Sequence, residues 1–190
     1  MEADFSIELG RDDAVLDFPW RDPAGKLAYV DLKRHPELMA RIEEAERLPQ
    51  LGEFLRTLNS PPSMVETAKC DVWTTSALSA EEEIFRASIK FASYVDLVFC
   101  TVESRLSFRT HEQFATNLVA LLQPAPETGS AAEVCVRRCY FGGESELQEG
   151  FYCTLYVSGY GHDDASARQN WAMGLSFAGK AILQLSAGGS

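Results

Sequence analysis

Positive charge is what this sequence has least of. Of 190 residues, 17 are Lys or Arg against 28 Asp or Glu, giving a net charge of −11. Binding nucleic acid or an anionic membrane surface needs a concentrated basic face, so neither is expected as a partner. Histidine is scarce too, with three residues. No H-x3-H or C-x2-C spacing occurs, and the acidic pattern of an EF-hand loop is missing, so no metal site is expected. The glycine-rich loops that cradle phosphates and the G-x-S-x-G turn that exposes a nucleophilic serine are absent as well. These gaps leave no expected cofactor and no catalytic constellation, so the chain reads as a binding module rather than an enzyme.

Long apolar runs are also missing. The best candidate, near the C-terminus, is interrupted by Lys180 and Gln184, short of the ~18–20 residues of a membrane span. Met1-Glu2-Ala3-Asp4 lacks the positive and then apolar character of a secretion signal. A cytoplasmic location is therefore expected. The five cysteines are an odd number without framework spacing, which reads as reduced thiols. Cys135 and Cys139 resemble a C-x3-C pair. On a strand, at ~3.3 Å per residue, they would lie about 13 Å apart, too far to share a metal or a disulfide.

What is present is the raw material of one globular domain, with 46% hydrophobic residues and enough length for a single core. Residues 1–26, irregular but holding Phe5, Ile7, Leu9, Val15, Leu16, Phe18 and Trp20, read as an arm packed on a domain spanning 27–187, with a short strand at Phe5–Leu9. Leu27–Leu32 reads as a strand. His35-Pro36-Glu37 opens a helix with Pro in its first turn, broken at Pro49 and followed by a second helical piece carrying Leu51, Phe54, Leu55 and Leu58. Val65–Thr75 and Ile89–Cys100 read as strands, separated by a solvated turn around Glu81-Glu82-Glu83. Arg105–Phe108 reads as a short strand, and Thr110-His111-Glu112-Gln113 as a capping box opening the next helix. Glu133–Phe141 and Phe151–Tyr160 form a hairpin around Gly142-Gly143. Asp163 or Asp164 caps a C-terminal helix over 163–187, whose many small residues imply close packing, and residues 187–190 should be loose. The fold class is α+β: a twisted, mostly antiparallel sheet with helices on one face.

An internal repeat is suggested. Leu32-Lys33-Arg34-His35 matches Phe108-Arg109-Thr110-His111 at an offset of 76, and Tyr94–Phe99 matches Tyr152–Val157 at an offset of 58. Two β-α-β-β units, over 27–101 and 104–161, would follow. That element order resembles the duplicated βαββ fold of small-molecule effector-binding domains. It also resembles the type III secretion chaperone-like fold, α-βββ-α-ββ-α, whose members are often acidic and dimeric. Both resemblances are of element order.

One surface stands out. Alternation along the last strand puts Tyr152, Thr154, Tyr156, Ser158 and Tyr160 on one face and Phe151, Cys153, Leu155 and Val157 on the other. The second set reads as core. The first is an amphipathic aromatic stripe of the kind used for recognition. Tyr94 and Asp96 would match it on the earlier strand, and Arg137 and Trp73 join it if the register allows. The candidate site for a small ligand, a protein partner or a second copy in a homodimer is thus Tyr94, Asp96, Tyr152, Tyr156, Tyr160 and Arg137. The alternative is an enzyme whose site gathers distant residues such as Tyr94, Asp96, Arg137 and His162. His35 and His111, at matched helix starts, read as capping or packing residues.

Overall fold

The computed structural model describes residues 1–142 and 147–188. Its strands are β1 (Glu2–Glu8), β2 (Val15–Phe18), β3 (Val65–Thr75), β4 (Ile89–Phe99), β5 (Ser130–Gly142) and β6 (Leu147–Gly161). Its α-helices are α1 (Glu43–Arg47), α2 (Pro49–Leu58), α3 (Val102–Leu106), α4 (Phe108–Leu122) and α5 (Asp164–Gly188). Short 3-10 helices cover Pro36–Arg41 and Glu81–Phe85. The sheet order is β1-β5-β6-β4-β3, with β2 continuing the β1 edge along the far end of β5. β1 and β2 run parallel to β5, and the other pairings are antiparallel. The fold is α+β, as its pattern of alternating and helical periods implies.

One face of the sheet carries the helices. Val95, Leu97 and Phe99 of β4, Val134 and Val136 of β5, and Leu155 and Val157 of β6 point into the main core. There they meet Leu51, Phe54 and Leu58 of α2, Phe114 and Leu118 of α4, and Trp171, Leu175 and Ile182 of α5. Trp171 is buried, donates from Nε1 to Ser93 Oγ at 2.8 Å, and meets Phe91 edge to face. The small residues of α5 allow the close approach expected of them: Gly174 lies against Val157 and Ser130, and Gly179 against Phe54. Among the described residues no helix is long and apolar enough to cross a membrane.

Local signals account for most boundaries. Pro49 sits in the first turn of α2, where its missing N–H has no partner to lose. Asp163 Oδ1 accepts from Ser166 N at 2.8 Å at the start of α5, the capping role foreseen for it. The capping box at Thr110 is corrected. Thr101 caps α3, and Ser107 accepts from Thr110 N and caps α4, so the second helix begins at Phe108 and His111 lies inside it. Two caps six residues apart leave Arg105–Phe108 helical at both ends and not a strand. We expect Ser107→Ala to lower stability by about 1 kcal/mol, read as a small drop in the urea midpoint with an unchanged slope.

Leu27–Leu32 is also not a strand of the sheet. Its apolar run is used differently, by a connector along the β3 edge that divides its side chains between the two faces. Tyr29 packs on the helix-free face, Leu32 enters the main core, and Ala28 bridges Arg21. With both leading strands missing, the duplicated β-α-β-β unit is not confirmed, and two strands, not three, lie between α2 and α3. Of residues 1–26, read as an arm with a short strand at Phe5–Leu9, Glu2–Glu8 and Val15–Phe18 supply β1 and β2 of the sheet itself. Of the Gly142-Gly143 loop, Gly142 ends β5 and Gly143 lies outside the described residues. Of the loose end at 187–190, Ala187 and Gly188 are helical, and 189–190 lie outside them.

Candidate functional site

The helix-free face is partly closed by the chain's own segments. At one end Leu16 and Phe18 of β2, with Trp20 and Tyr29, cover Ala68, Val98, Cys139, Phe141 and Tyr152 in a second apolar cluster. Arg105 seals this end. Its guanidinium donates to Glu66 Oε1 at 2.6 Å and to Phe99 O, and lies over the rings of Phe18 and Phe141. At the other end the Glu81–Phe85 turn folds onto Tyr160. Phe85 stacks on its ring at 3.9 Å, and Glu82 accepts from Tyr160 Oη at 2.7 Å and from Lys90 Nζ at 2.5 Å. The run Glu81-Glu82-Glu83, read as a solvated turn, therefore holds a packed carboxylate at Glu82. The paired Lys90 and two further donors hold that carboxyl down at about 2 against its partial burial.

Between these covers lies an open centre. In register across five strands, Asp71 faces Tyr94, Tyr94 faces Tyr156, Tyr156 faces Glu133, and Glu133 faces Asp4. The two tyrosines are half-buried, while Asp71, Glu133 and Asp4 are exposed. Trp73, on β3 and 37% exposed, extends the aromatic row: its ring lies 6.4 Å from Tyr94, whose ring lies 6.1 Å from Tyr156. Arg137 continues the row onto β5, with its guanidinium 5.6 Å from the Tyr156 ring.

Beneath the row runs a polar network. Arg137 is held by Glu8 through Nε and Nη2 at 2.8 and 2.7 Å. Its Nη1 donates to Thr154 Oγ1 and Tyr156 Oη, each at 3.0 Å. Thr154 in turn donates to Asp96 Oδ1 at 2.7 Å. Asp96 is 5% exposed. Burial pushes its carboxyl up to about 6, with Thr154, Lys69 and Arg137 pulling the other way. Burial also raises the Tyr94 hydroxyl, helped by the Asp96 and Asp71 carboxylates. A carboxylate that titrates near 6 beside a guanidinium can hold or release a proton, or fix a ligand's polar group.

All six candidate residues thus lie on this face, but they divide. Tyr94, Asp96, Tyr156 and Arg137 converge in the centre. Tyr152 and Tyr160 are sealed under residues distant in sequence. His162 is exposed at the start of α5, six residues past Tyr156 along an extended strand and so about 20 Å away. His35 is exposed beside Glu37. His111 is buried in α4, where Nδ1 donates to Ser107 O at 2.8 Å and Nε2 has no hydrogen-bond partner among the described residues. Desolvation lowers its pKa. Asp71, Glu133 and Glu8 were missed, and no local signal marks them, since each matters only through its cross-strand neighbour.

A cleft of about 640 Å³ opens beside the row at the β3 edge. Trp20, Leu27 and Ile42 line it together with Glu43, Asp71 and Tyr94. The five cysteines are unpaired, and burial pushes the thiols of Cys135 and Cys139 up to about 11 and about 12. Among the described residues no three His, Cys, Asp or Glu side chains are placed to hold a metal ion. Comparison with protein-family models, with curated proteins and with solved structures finds no match for this chain.

Proposed function

We propose that this protein is a non-enzymatic binding module whose contact surface is the centre of the helix-free face, at Trp73, Tyr94, Tyr156 and the Asp96–Thr154–Arg137 network. The observation that carries this reading is the uncovered aromatic row. The chain covers Tyr152 and Tyr160 with its own segments and leaves Tyr94, Tyr156 and Trp73 reachable. Rings rooted on neighbouring strands are rigid contact area that loses little entropy on binding. A hydrogen-bonded network under them, with Asp96 and Thr154 buried, holds the patch in one geometry. The enzyme alternative gathers Tyr94, Asp96, Arg137 and His162, but His162 lies far along the strand from the other three.

The test is Tyr94→Ala with Tyr156→Ala. Both side chains are half-exposed, so the double variant should keep its helical content and a cooperative thermal transition. Its self-association in sedimentation, or its thermal-shift response to compounds that shift the wild type, should weaken by about ten-fold or more. Trp73 gives an independent readout, because a bound molecule on the patch should alter its emission and Trp73→Phe should silence that change. Unfolding of the double variant, or interactions indifferent to both substitutions, would overturn the proposal.

A further inference from the structure

We infer that the partner engaged by this face is a basic, extended segment of another protein, laid across the strands over the rung Asp71–Tyr94–Tyr156–Glu133–Asp4. The inference rests on the binding reading above and names the chemistry of its partner.

The first argument is charge. The cations on this face are already committed: Arg137 to Glu8, Lys90 to Glu82, and Lys69 to the Trp20 ring beside Asp96. The carboxylates of the rung are not. Asp71 accepts from Val72 N, Glu133 from Ser6 Oγ, and Asp4 from Phe5 N. Among the described residues none of the three meets a Lys or Arg at ion-pair distance. The exposed ends of the rung are therefore negative, and its middle is the faces and edges of two tyrosines. Ring faces attract cations, and flanking carboxylates add to that attraction. An anionic or purely apolar partner would meet neither.

The second argument is dimension. Strands lie about 4.8 Å apart, so a rung across five strands is about 19 Å long. An extended segment places alternate side chains about 6.6–7 Å apart. Lysines or arginines at three alternate positions then span most of the rung, with cations near Asp71, the tyrosine pair and Glu133. At the β3 end the segment would reach the cleft at Trp20, Leu27 and Ile42, which suits an apolar residue beside the basic ones. The cleft lining is of mixed charge, with Lys26, Arg41 and Lys69 beside Asp22, Glu43, Glu44 and Asp71, so the preference for cations comes from the rung and not from the cleft.

The test is a fluorescence-anisotropy titration at near-physiological salt. The probe is a labelled nine-residue peptide with lysine at alternate positions. Its match replaces each lysine by acetyl-lysine, which keeps the length and removes the charge. The wild type should bind the lysine peptide and lose about ten-fold or more with the acetylated one. Asp71→Asn with Glu133→Gln should cause a similar loss. Glu53→Gln with Glu112→Gln, on α2 and α4 across the sheet, makes the same change in net charge and should have little effect. No binding of the lysine peptide, equal binding of the acetylated one, or equal loss in both double variants overturns the inference. If the lysine peptide fails while Tyr94→Ala with Tyr156→Ala still abolishes self-association, the face binds a second copy. The basic-segment inference is then wrong, and the binding reading stands.

Discussion

Replacing Gly159 with alanine is expected to destabilise the protein by about 3 kcal/mol or more, the upper range for overpacking a rigid contact. Gly159 lies on β6 directly under α5. A Cβ there would collide with the backbone N of Trp171 and the carbonyl O of Ala167. Both are main-chain atoms of a helix whose Trp171, Leu175 and Ile182 are anchored in the core. No side-chain rotation relieves the contact, so the helix must lift from the sheet and every apolar contact along it loosens. Against a total stability of about 5–15 kcal/mol, that is enough to lower the urea midpoint sharply or to prevent folding. Gly142→Ala is the control. Among the described residues, a Cβ at that position meets only Phe18 O, at 3.7 Å, and the change should stay within about 1 kcal/mol. Similar midpoints for the two variants would mean that α5 does not rest on β6 at Gly159.

Asp96→Asn is expected to stabilise the protein at neutral pH by about 1–3 kcal/mol. The carboxyl titrates at about 6 in the fold, chiefly because burial penalises its charge, and near 3.9 when unfolded. The folded chain therefore holds this proton more tightly. Between pH ~4 and ~6 the folded state binds more of it than the unfolded state, so this group's contribution falls as pH rises through that window. Above it the fold carries a buried charge that Thr154, Lys69 and Arg137 only partly offset. Asparagine keeps the shape and can still accept from Thr154. The difference between variant and wild type should be full at pH 8 and vanish below pH 4. His111 works in the opposite direction in both proteins. Its lowered pKa means that stability is lost as pH falls below about 6.5, and the comparison cancels it. An asparagine variant less stable than wild type at pH 8, with a parallel pH profile, would show instead that the charged carboxylate is held by Lys69 and Arg137. A buried charge that weakens its own fold, beneath an open aromatic row, fits a site kept for binding.

The faces of single strands were legible because alternation is local. Phe151, Cys153, Leu155 and Val157 follow the two-residue period of an extended chain, and so do Ser93, Val95, Leu97 and Phe99. Cys153, Leu155 and Val157 enter the core as read, and Val95, Leu97 and Phe99 join them there. Segments whose pattern was short were misread. Leu27–Leu32 is apolar because it straddles a sheet edge and packs on both clusters, and Arg105–Phe108 is the junction of two capped helices. In six residues, an apolar connector and a short strand look alike.

By itself, the sequence determined the α+β class, the acidic balance, the helix break at Pro49, the cap at Asp163, and which side of β4 and β6 each residue takes. All of these are set by neighbours within a few residues. Tertiary structure alone decided that Tyr94 stands opposite Tyr156 and that Arg137 reaches both Glu8 and Thr154. It also decided that Tyr152 is closed over by Phe18 and Tyr29, and Tyr160 by Phe85. Each of these depends on which strands pair and in what register, and on where a segment tens of residues away folds back. That choice is made by burial summed over the whole core, which no short stretch of the chain contains.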